Sequence, residues 1–408
     1  MLKNYFKIAV AVLKRRKFFT FISLFGISFT LTILMVLTAF IQNVIGNDYP
    51  DKKRDRSLYI STIEQKGKNA MSSGALSYYF LNKYAATLKS PEKVTIFSGA
   101  NSTNTYVNNK KISIDYKYVD ANYWSVLDYD FLEGKPFDAR QIENGEHVAV
   151  ISEGIKKQYF GDDPSVVGKY IEADNVQYRV SGVVKDVPVT TYMLYSEIYI
   201  PYTVSKTDYR NKNYGGGYVA ILLGASKADL QKMHDEYEDV IKRVPPENKD
   251  FEIVYSHAYG YIRSYVNTGN EENSGLTYAI TAIAIFALIV MLLPTINLIN
   301  VNVTRIMERS SEIGVRKAFG ASSQTLVYQF IVENLILTLI GGLIGVLLSY
   351  IVIQILNSAD LIPNFKMSLN FTVLVLALFI CLFFGLISGV YPAWRMSKLD
   401  VVTALKEQ

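Results

Sequence analysis

Apolar positions cluster along this chain instead of being spread evenly. Four windows carry no charged side chain: Phe18–Asn47, Asn273–Thr304, Asn334–Ala359 and Met367–Trp394. A bilayer's hydrocarbon is roughly 30 Å thick and a helix rises about 1.5 Å per residue, so about 20 apolar residues cross it. Each window is longer than that, and the pattern predicts four transmembrane helices. As continuous helices the first two windows would measure about 45 and 48 Å, more than a bilayer needs. Phe18–Asn47 is also too long for a cleaved secretory leader, and no small-residue cleavage site follows it.

Between the first two windows the period changes. Asp48–Arg56 is a mixed-charge stretch, and Asn267–Asn273 is polar and glycine-containing. They enclose an α+β pattern. Ser57–Ile63 and Val94–Ser98 read as strands around a helical stretch near Ala75–Lys89. The same order returns as Tyr218–Leu223, a helix over Lys227–Arg243 with Leu230, Met233, Tyr237, Val240 and Ile241 on one face, and Phe251–Tyr255. Two such units predict one split mixed α/β subdomain. An insertion from about Asn101 to Pro201 is mainly β, with strands at Ile112–Val119, His147–Ile151, Tyr178–Val184 and Glu197–Ile200 and a short helix at Glu153–Phe160. Tyrosines such as Tyr116, Tyr118, Tyr123, Tyr129, Tyr192 and Tyr195 are frequent here; cross-strand packing accounts for them more simply than a binding surface does.

Charge orients the spans. Of 408 residues 42 are basic and 37 acidic, half are hydrophobic, and only 19% are charged, against roughly 25% in soluble domains. Lys3, Lys7, Lys14, Arg15, Arg16 and Lys17 precede the first window; Arg305, Arg309, Arg316 and Lys317 lie between the second and third; Arg395, Lys398 and Lys406 follow the fourth. The positive-inside rule therefore places both termini and the Arg305–Lys317 loop in the cytoplasm and the segment from about Gly46 to Asn273 outside. The net charge of +5 belongs mostly to these inner flanks and implies no nucleic-acid partner. The single cysteine, Cys381, lies in the fourth window, so no disulfide forms within the chain and the outer domain must stand on its own core.

Stretches that resemble catalytic or cofactor motifs depart from them at the residues that matter. Gly161 to Tyr170 resembles a phosphate loop, but Asp163 stands where the first glycine belongs and Tyr170 where the magnesium-binding hydroxyl belongs, so it reads as a turn. His147, His234 and His257 lack metal-ligand spacing, and there is no Gly-x-Ser-x-Gly elbow. The expectation is a chain with no catalytic, metal or cofactor site.

Other features bear on mechanism. Leu2, Phe6, Ala9, Val10 and Leu13, interleaved with lysines, predict an amphipathic helix in the cytoplasmic interface. Glu333 interrupts an uncharged stretch from Ala318 to Ala359; a carboxylate at mid-bilayer costs a few kcal/mol, so it is expected at the cytoplasmic edge with Asn334–Leu356 as the span. Gly341 with Gly345, and Gly385 with Gly389, have the four-residue spacing that lets helix backbones approach in lipid. Ile306–Phe319 reads as a short charged helix ended by Gly320, and Arg309, Glu312 and Arg316 share one of its faces.

That loop carries a resemblance. Ser311-Glu312-Ile313-Gly314-Val315-Arg316-Lys317-Ala318-Phe319-Gly320-Ala321-Ser322 is similar to the most specific motif of the MacB and FtsX type permeases, the mechanotransmitting ABC transporters, and Gln329, Glu333 and Gly341-Gly342-x-x-Gly345 follow at that family's spacing. Tyr391-Pro392-Ala393-Trp394-Arg395 and Leu399-Asp400-Val401-Val402-Thr403-Ala404-Leu405-Lys406 resemble its terminal helix, with Val401 in place of the usual proline. Outside, Val119–Trp124, Leu132–Phe137, Val148–Ser152, Phe160–Pro164, Val167–Lys169 and Val180–Val187 resemble the MacB-type periplasmic core domain.

The resemblance implies an interfacial helix at 1–17, a first span and stalk at 18–45, an extracytoplasmic domain at 46–273, and a second stalk and span at 274–304. A cytoplasmic coupling loop at 305–325, the third and fourth spans at 326–394 and a cytoplasmic tail at 395–408 complete it. It implies a permease of the bacterial inner membrane that binds no ATP itself but docks on an ABC ATPase subunit through Arg309, Glu312, Arg316 and Lys317. The permease pairs with a second copy or a paralogue and moves its outer domain to export or extract a substrate. A membrane-fusion adaptor and an outer-membrane duct are compatible with it. The alternatives are an FtsX-like relay that activates a cell-wall hydrolase and, from another class, a receptor or adhesin without an ATPase.

Overall fold

The computed structural model describes residues 15, 17–107, 110–266, 274–307, 315, 319, 322–359, 361–369 and scattered positions from 371 to 390. They divide into two compact units: Met1–Asn43 with Thr281–Leu361 and Lys366–Gln408, and Val44–Ile280 with Ile362–Phe365.

The second unit is the α+β domain. Helix α1 (Lys17–Ile45) ends in it, and β1 (Ser57–Ile60), β2 (Ile63–Lys66), β3 (Met71–Gly74), α2 (Tyr78–Tyr84) and β4 (Lys93–Ser98) follow. Then come β5 (Asn101–Val107), β6 (Lys110–Val119), α3 (Tyr123–Val126), β7 (Phe131–Gly134), α4 (Ala139–Glu143), β8 (Val148–Ser152), α5 (Glu153–Phe160), β9 (Tyr170–Ala173), β10 (Val176–Val184) and β11 (Ile198–Pro201). The domain closes with β12 (Tyr218–Leu223), α6 (Leu230–Ile241), β13 (Ile253–Ser256) and α7 (Tyr261–Val266).

Among the described residues, ten strands form one sheet in the order β1-β12-β4-β6-β11-β8-β10-β7, with β5 on β6 and β9 on β10, and β13-β2-β3 form a second. Period-two alternation sends side chains to two cores, one on each face of the large sheet. Leu58, Ile60, Ile198 and Ile200 join one cluster, while Tyr59 and Tyr199 between them join the other. Burial on both faces is why β1, β8 and β11 read as nearly continuous apolar runs.

The strands of the insertion thus continue the sheet of the bracketing units. The seam is narrow: β4 and β6 share one registered pair, Phe97 with Val119. Asp120 reinforces it, accepting from Thr95 Oγ1 (2.6 Å) and Ile96 N (2.8 Å) on one side and Tyr123 N (2.9 Å) on the other. Ser98 Oγ accepts from Tyr118 N (2.9 Å) across the same seam.

Element boundaries depart from the sequence pattern where local hydrogen bonds decide them. Ser57–Ile63 is not one strand: the chain leaves the large sheet after Ile60 and enters the small one at Ile63. Ser256 Oγ holds Thr62 O (2.9 Å) at the bend. The first helix of the outer domain is short, starting where Ser77 Oγ caps Phe80 N (3.1 Å). Before α6, Ser226 and Asp229 form a reciprocal box that tightens the first turn into a 3₁₀ helix over Lys227–Asp229. Met233, Tyr237 and Ile241 are the buried face of α6.

The first unit is helical: α1 along most of its length, α8 (Ser274–Met307) from Thr281, and α9 (Ser323–Ser358). Among the described residues two helices are long and apolar enough to cross a membrane, Lys17–Ile45 and Val327–Ser358, and Gly275–Val290 is a shorter apolar segment. Four crossings are therefore not all represented. Ser322 Oγ caps α9 at Thr325 N (3.2 Å), and its 36 residues extend about 54 Å.

Candidate functional site

The charged Arg305–Lys317 motif lies largely outside the described residues, Arg309, Glu312, Arg316 and Lys317 included, as do the first fourteen residues, Gly385 and Gly389. Val315 within it and Phe319 just after it are described; both are exposed, and Phe319 N donates to Val315 O (3.0 Å).

Gly341 and Gly345 are described, and both face α1. A Cβ on Gly341 would lie 2.8 Å from Ile27 Cγ2 and 2.9 Å from Ile27 Cβ; one on Gly345 would lie 3.0 Å from Leu31 Cβ and from Ser28 O. Thr32 Oγ1 donates to Gly345 O (3.2 Å), and Ser349 Oγ lies 3.4 Å from Met35 Sδ. Contacts therefore advance by four residues on each helix, Ile27 to Gly341, Leu31 to Gly345 and Met35 to Ser349, so α1 and α9 run parallel. On the other face of α1, Phe18, Phe21, Phe25 and Phe29 are exposed, with rings stacked at 6.2 Å (Phe21–Phe25) and 5.6 Å (Phe25–Phe29).

Glu333 is buried within α9, one turn beyond Gln329, whose Nε2 donates to Glu333 Oε1 (2.9 Å). It lies inside a continuous helix that begins ten residues earlier, at Ser323.

The outer domain holds groups that sequence inspection missed. Arg54 is buried beside Asp51, three residues earlier (Nε to Oδ2, 2.9 Å), and its Nη1 donates to the carbonyls of Val44 (3.1 Å) and Gly46 (2.5 Å) at the end of α1. Spacing hinted at it, since an Asp and an Arg at i and i+3 directly follow a span, but nothing in the pattern marked them as buried. Lys117 is fully buried too, donating to Met193 O above the Phe97 ring; burial lowers its ammonium from 10.5 to about 7. Burial raises Asp120 at the seam to about 6 despite the donors aimed at it from Thr95, Ile96, Tyr123 and Asn122.

Most of the tyrosines are packing groups. Tyr116, Tyr118, Tyr123 and Tyr129 are buried, and the hydroxyls of Tyr123, Tyr129 and Tyr199 form a chain (2.8 and 3.2 Å); Tyr192 is exposed. Tyr78, Tyr118, Tyr209 and Tyr218 line a cleft of about 460 Å³ with Asn101, Asn211 and Asn213. His234 and His257, distant in sequence, stack on Tyr259, and His257 Nδ1 is 2.6 Å from Glu238 Oε1. The Gly161–Tyr170 segment leads from α5 to β9, with Gly161 and Gly168 in the left-handed region (φ 69° and 87°) and Lys169 paired with Asp163 (2.6 Å).

Comparison with known families assigns the two units. The family model described as MacB-like periplasmic core domain matches residues 20–240, and that described as FtsX-like permease C-terminal matches 284–401. The chain belongs to the MacB/FtsX-type family of ABC permeases. Among curated relatives of this permease, the macrolide export ATP-binding/permease protein MacB of Acinetobacter baylyi is 26% identical across all of this chain and 60% of its own length. MacB of Campylobacter jejuni is 26% identical over 99% of this chain and 61% of its own. The pyoverdine export ATP-binding/permease protein PvdT of Pseudomonas fluorescens is 27% identical over 71% and 42%. The permease thus spans about 60% or less of the length of these relatives. The crystal structure of the periplasmic region of MacB from Actinobacillus actinomycetemcomitans aligns over 53% of this chain and 94% of its own, with 15% identity and a TM-score of 0.37.

Proposed function

We propose that this chain is the transmembrane permease subunit of an ABC transporter in a bacterial plasma membrane. ATP hydrolysis by a partner ATPase moves the extracytoplasmic domain, which exports or extracts an antimicrobial, peptide or lipoprotein-like molecule on the outer side. The observation that carries this reading is the pairing, in one chain, of a MacB-like periplasmic core match and an FtsX-like permease match. The names of the relatives, export ATP-binding/permease proteins, favour transport over a signalling relay. No stretch of the 408 residues has the phosphate-loop spacing, and in this reading an ABC ATPase partner binds the nucleotide.

The parallel register of α1 and α9 supports three crossings, with α8 between them, and the fourth rests on the charge-free window Met367–Trp394. Two parallel spans require an odd number of crossings between them, and α8 supplies one. A second copy or a paralogue completes the transporter, and the charged loop at Arg309, Glu312, Arg316 and Lys317 is the ATPase-docking surface. Purification tests the reading. The isolated chain is expected neither to bind nor to hydrolyse ATP, and an ABC ATPase is expected to copurify from native membranes. ATP turnover by the isolated chain, or the lack of any ATPase among its partners, overturns it.

A further inference from the structure

The polypeptide enters the outer domain through residues 44–56 and leaves it through α7, and one buried cation touches both passages. Arg54 Nη1 grips Val44 O and Gly46 O, at the carboxyl end of α1, while Nε holds Asp51 Oδ2. The same carboxylate oxygen accepts the hydroxyl of Tyr59 from β1. Arg54 also lies with its guanidinium carbon 3.8 Å from the ring centroid of Tyr261 in α7, and Tyr261 packs edge-on against Tyr59 (5.3 Å, 69°). Next to it the entering segment is tied down again, by Lys53 Nζ to Asp128 Oδ1 (2.8 Å) and by Asp128 N to Pro50 O (2.8 Å).

Helix capping alone does not call for this arrangement. Terminal helix carbonyls carry partial negative charge, and an exposed lysine or water satisfies them. Burying an ion pair is costly, and apolar side chains of similar volume pack a domain as well or better. What apolar residues lack is a directed grip. A guanidinium offers a planar fork to carbonyls and carboxylate at its edge and a flat face to an aromatic ring, and both are used here. The gripped residues end a helix whose greater length belongs to the other compact unit.

We propose that Arg54 is a positioning residue that locks the carboxyl end of α1 to β1 and α7, so that displacement of that helix is carried into the outer domain as a rigid movement. The origin of the displacement rests on the transporter reading above; the lock itself does not.

Hydrogen–deuterium exchange of the full-length protein in nanodiscs tests the lock without ATP. The double variant Arg54→Met with Asp51→Asn removes both charges and keeps an acceptor for Tyr59. Amides of residues 43–47 are expected to exchange at least tenfold faster in it, while β1, β12 and α6 keep wild-type protection. Arg54→Lys, which retains the charge but not the fork, is expected to fall between the two, and decides the matter if the double variant fails to fold. Wild-type exchange at 43–47, or equal acceleration throughout the domain, overturns the lock, the latter because it marks a merely stabilising ion pair. With the partner ATPase added, ATP is expected to change outer-domain exchange in the wild type and not in the double variant, with hydrolysis retained in both. No ATP response in the wild type counts against the transporter reading and leaves the ATP-free result standing.

Discussion

At the scale of single residues, the outer domain spends stability on buried polar groups. Lys117 titrates from 10.5 in the unfolded chain to about 7 in the folded one, because desolvation disfavours the charged form. Between these values the unfolded chain holds a proton that the folded chain has released, so stability rises with pH across that window and the full penalty acts below it. Lys117→Met removes the penalty but leaves Met193 O without its donor. The expected net gain at pH 7 is on the order of 2 kcal/mol, with a flatter dependence between pH 7 and 10. Thermal melts of the full-length protein across that range check it; an unchanged slope contradicts a titrating Lys117. Lys117 sits among apolar strand residues, and no pattern of sequence distinguishes it from a lysine on a solvated face.

At the scale of elements, the α1–α9 pair depends on absent side chains. Gly341→Val places two methyl-bearing branches where even a Cβ falls inside contact distance of Ile27, whose own Cβ cannot swing away. Overpacking of this kind costs about 1–3 kcal/mol. The variant is expected to melt lower in detergent, while Leu347→Val, on an exposed position of the same helix, is expected to match wild type. Equal melting of the two would remove Gly341 from the interface. The charged loop between α8 and α9 belongs to the same scale. Glu312→Lys with Arg316→Glu is expected to leave insertion, dimerisation and outer-domain folding intact. ATPase copurification, or coupling of hydrolysis to function, should drop at least about tenfold, near 1.4 kcal/mol. Wild-type association and activity would make the loop a solvated connector.

At the scale of the whole molecule, the parallel register of α1 and α9 constrains topology independently of charge. Parallel helices that both span a bilayer cross it in the same sense, and the positive-inside rule predicts from the basic residues before Phe18 and between Arg305 and Lys317 that their amino ends lie inside. Reporters fused after Gln408 or within Arg305–Lys317 are expected to be active in the cytoplasm alone, and one at Asn211 outside alone. A cytoplasmic signal at Asn211 would overturn the orientation and the family mechanism with it.

Sequence by itself determined the features set by composition and period. Charge-free windows predict membrane spans because desolvation tolerates few alternatives, and among the described residues two of them fall in helices long and apolar enough to cross; the period-two run Ile112–Val119 and the continuous apolar run Tyr218–Leu223 give strands. The four-residue spacing of Gly341 and Gly345 was equally legible, since it is local to one helix. Tertiary structure alone decided what those elements meet. That Gly341 faces Ile27 depends on two helices more than three hundred residues apart. That β4 and β6 join two groups of strands into one sheet depends on a single pair and on Asp120 reaching across. Arg54, Asp51 and Lys117 look like ordinary surface charges in sequence, because burial is a property of the neighbours that folding brings, and only those neighbours make a buried charge tolerable and directed.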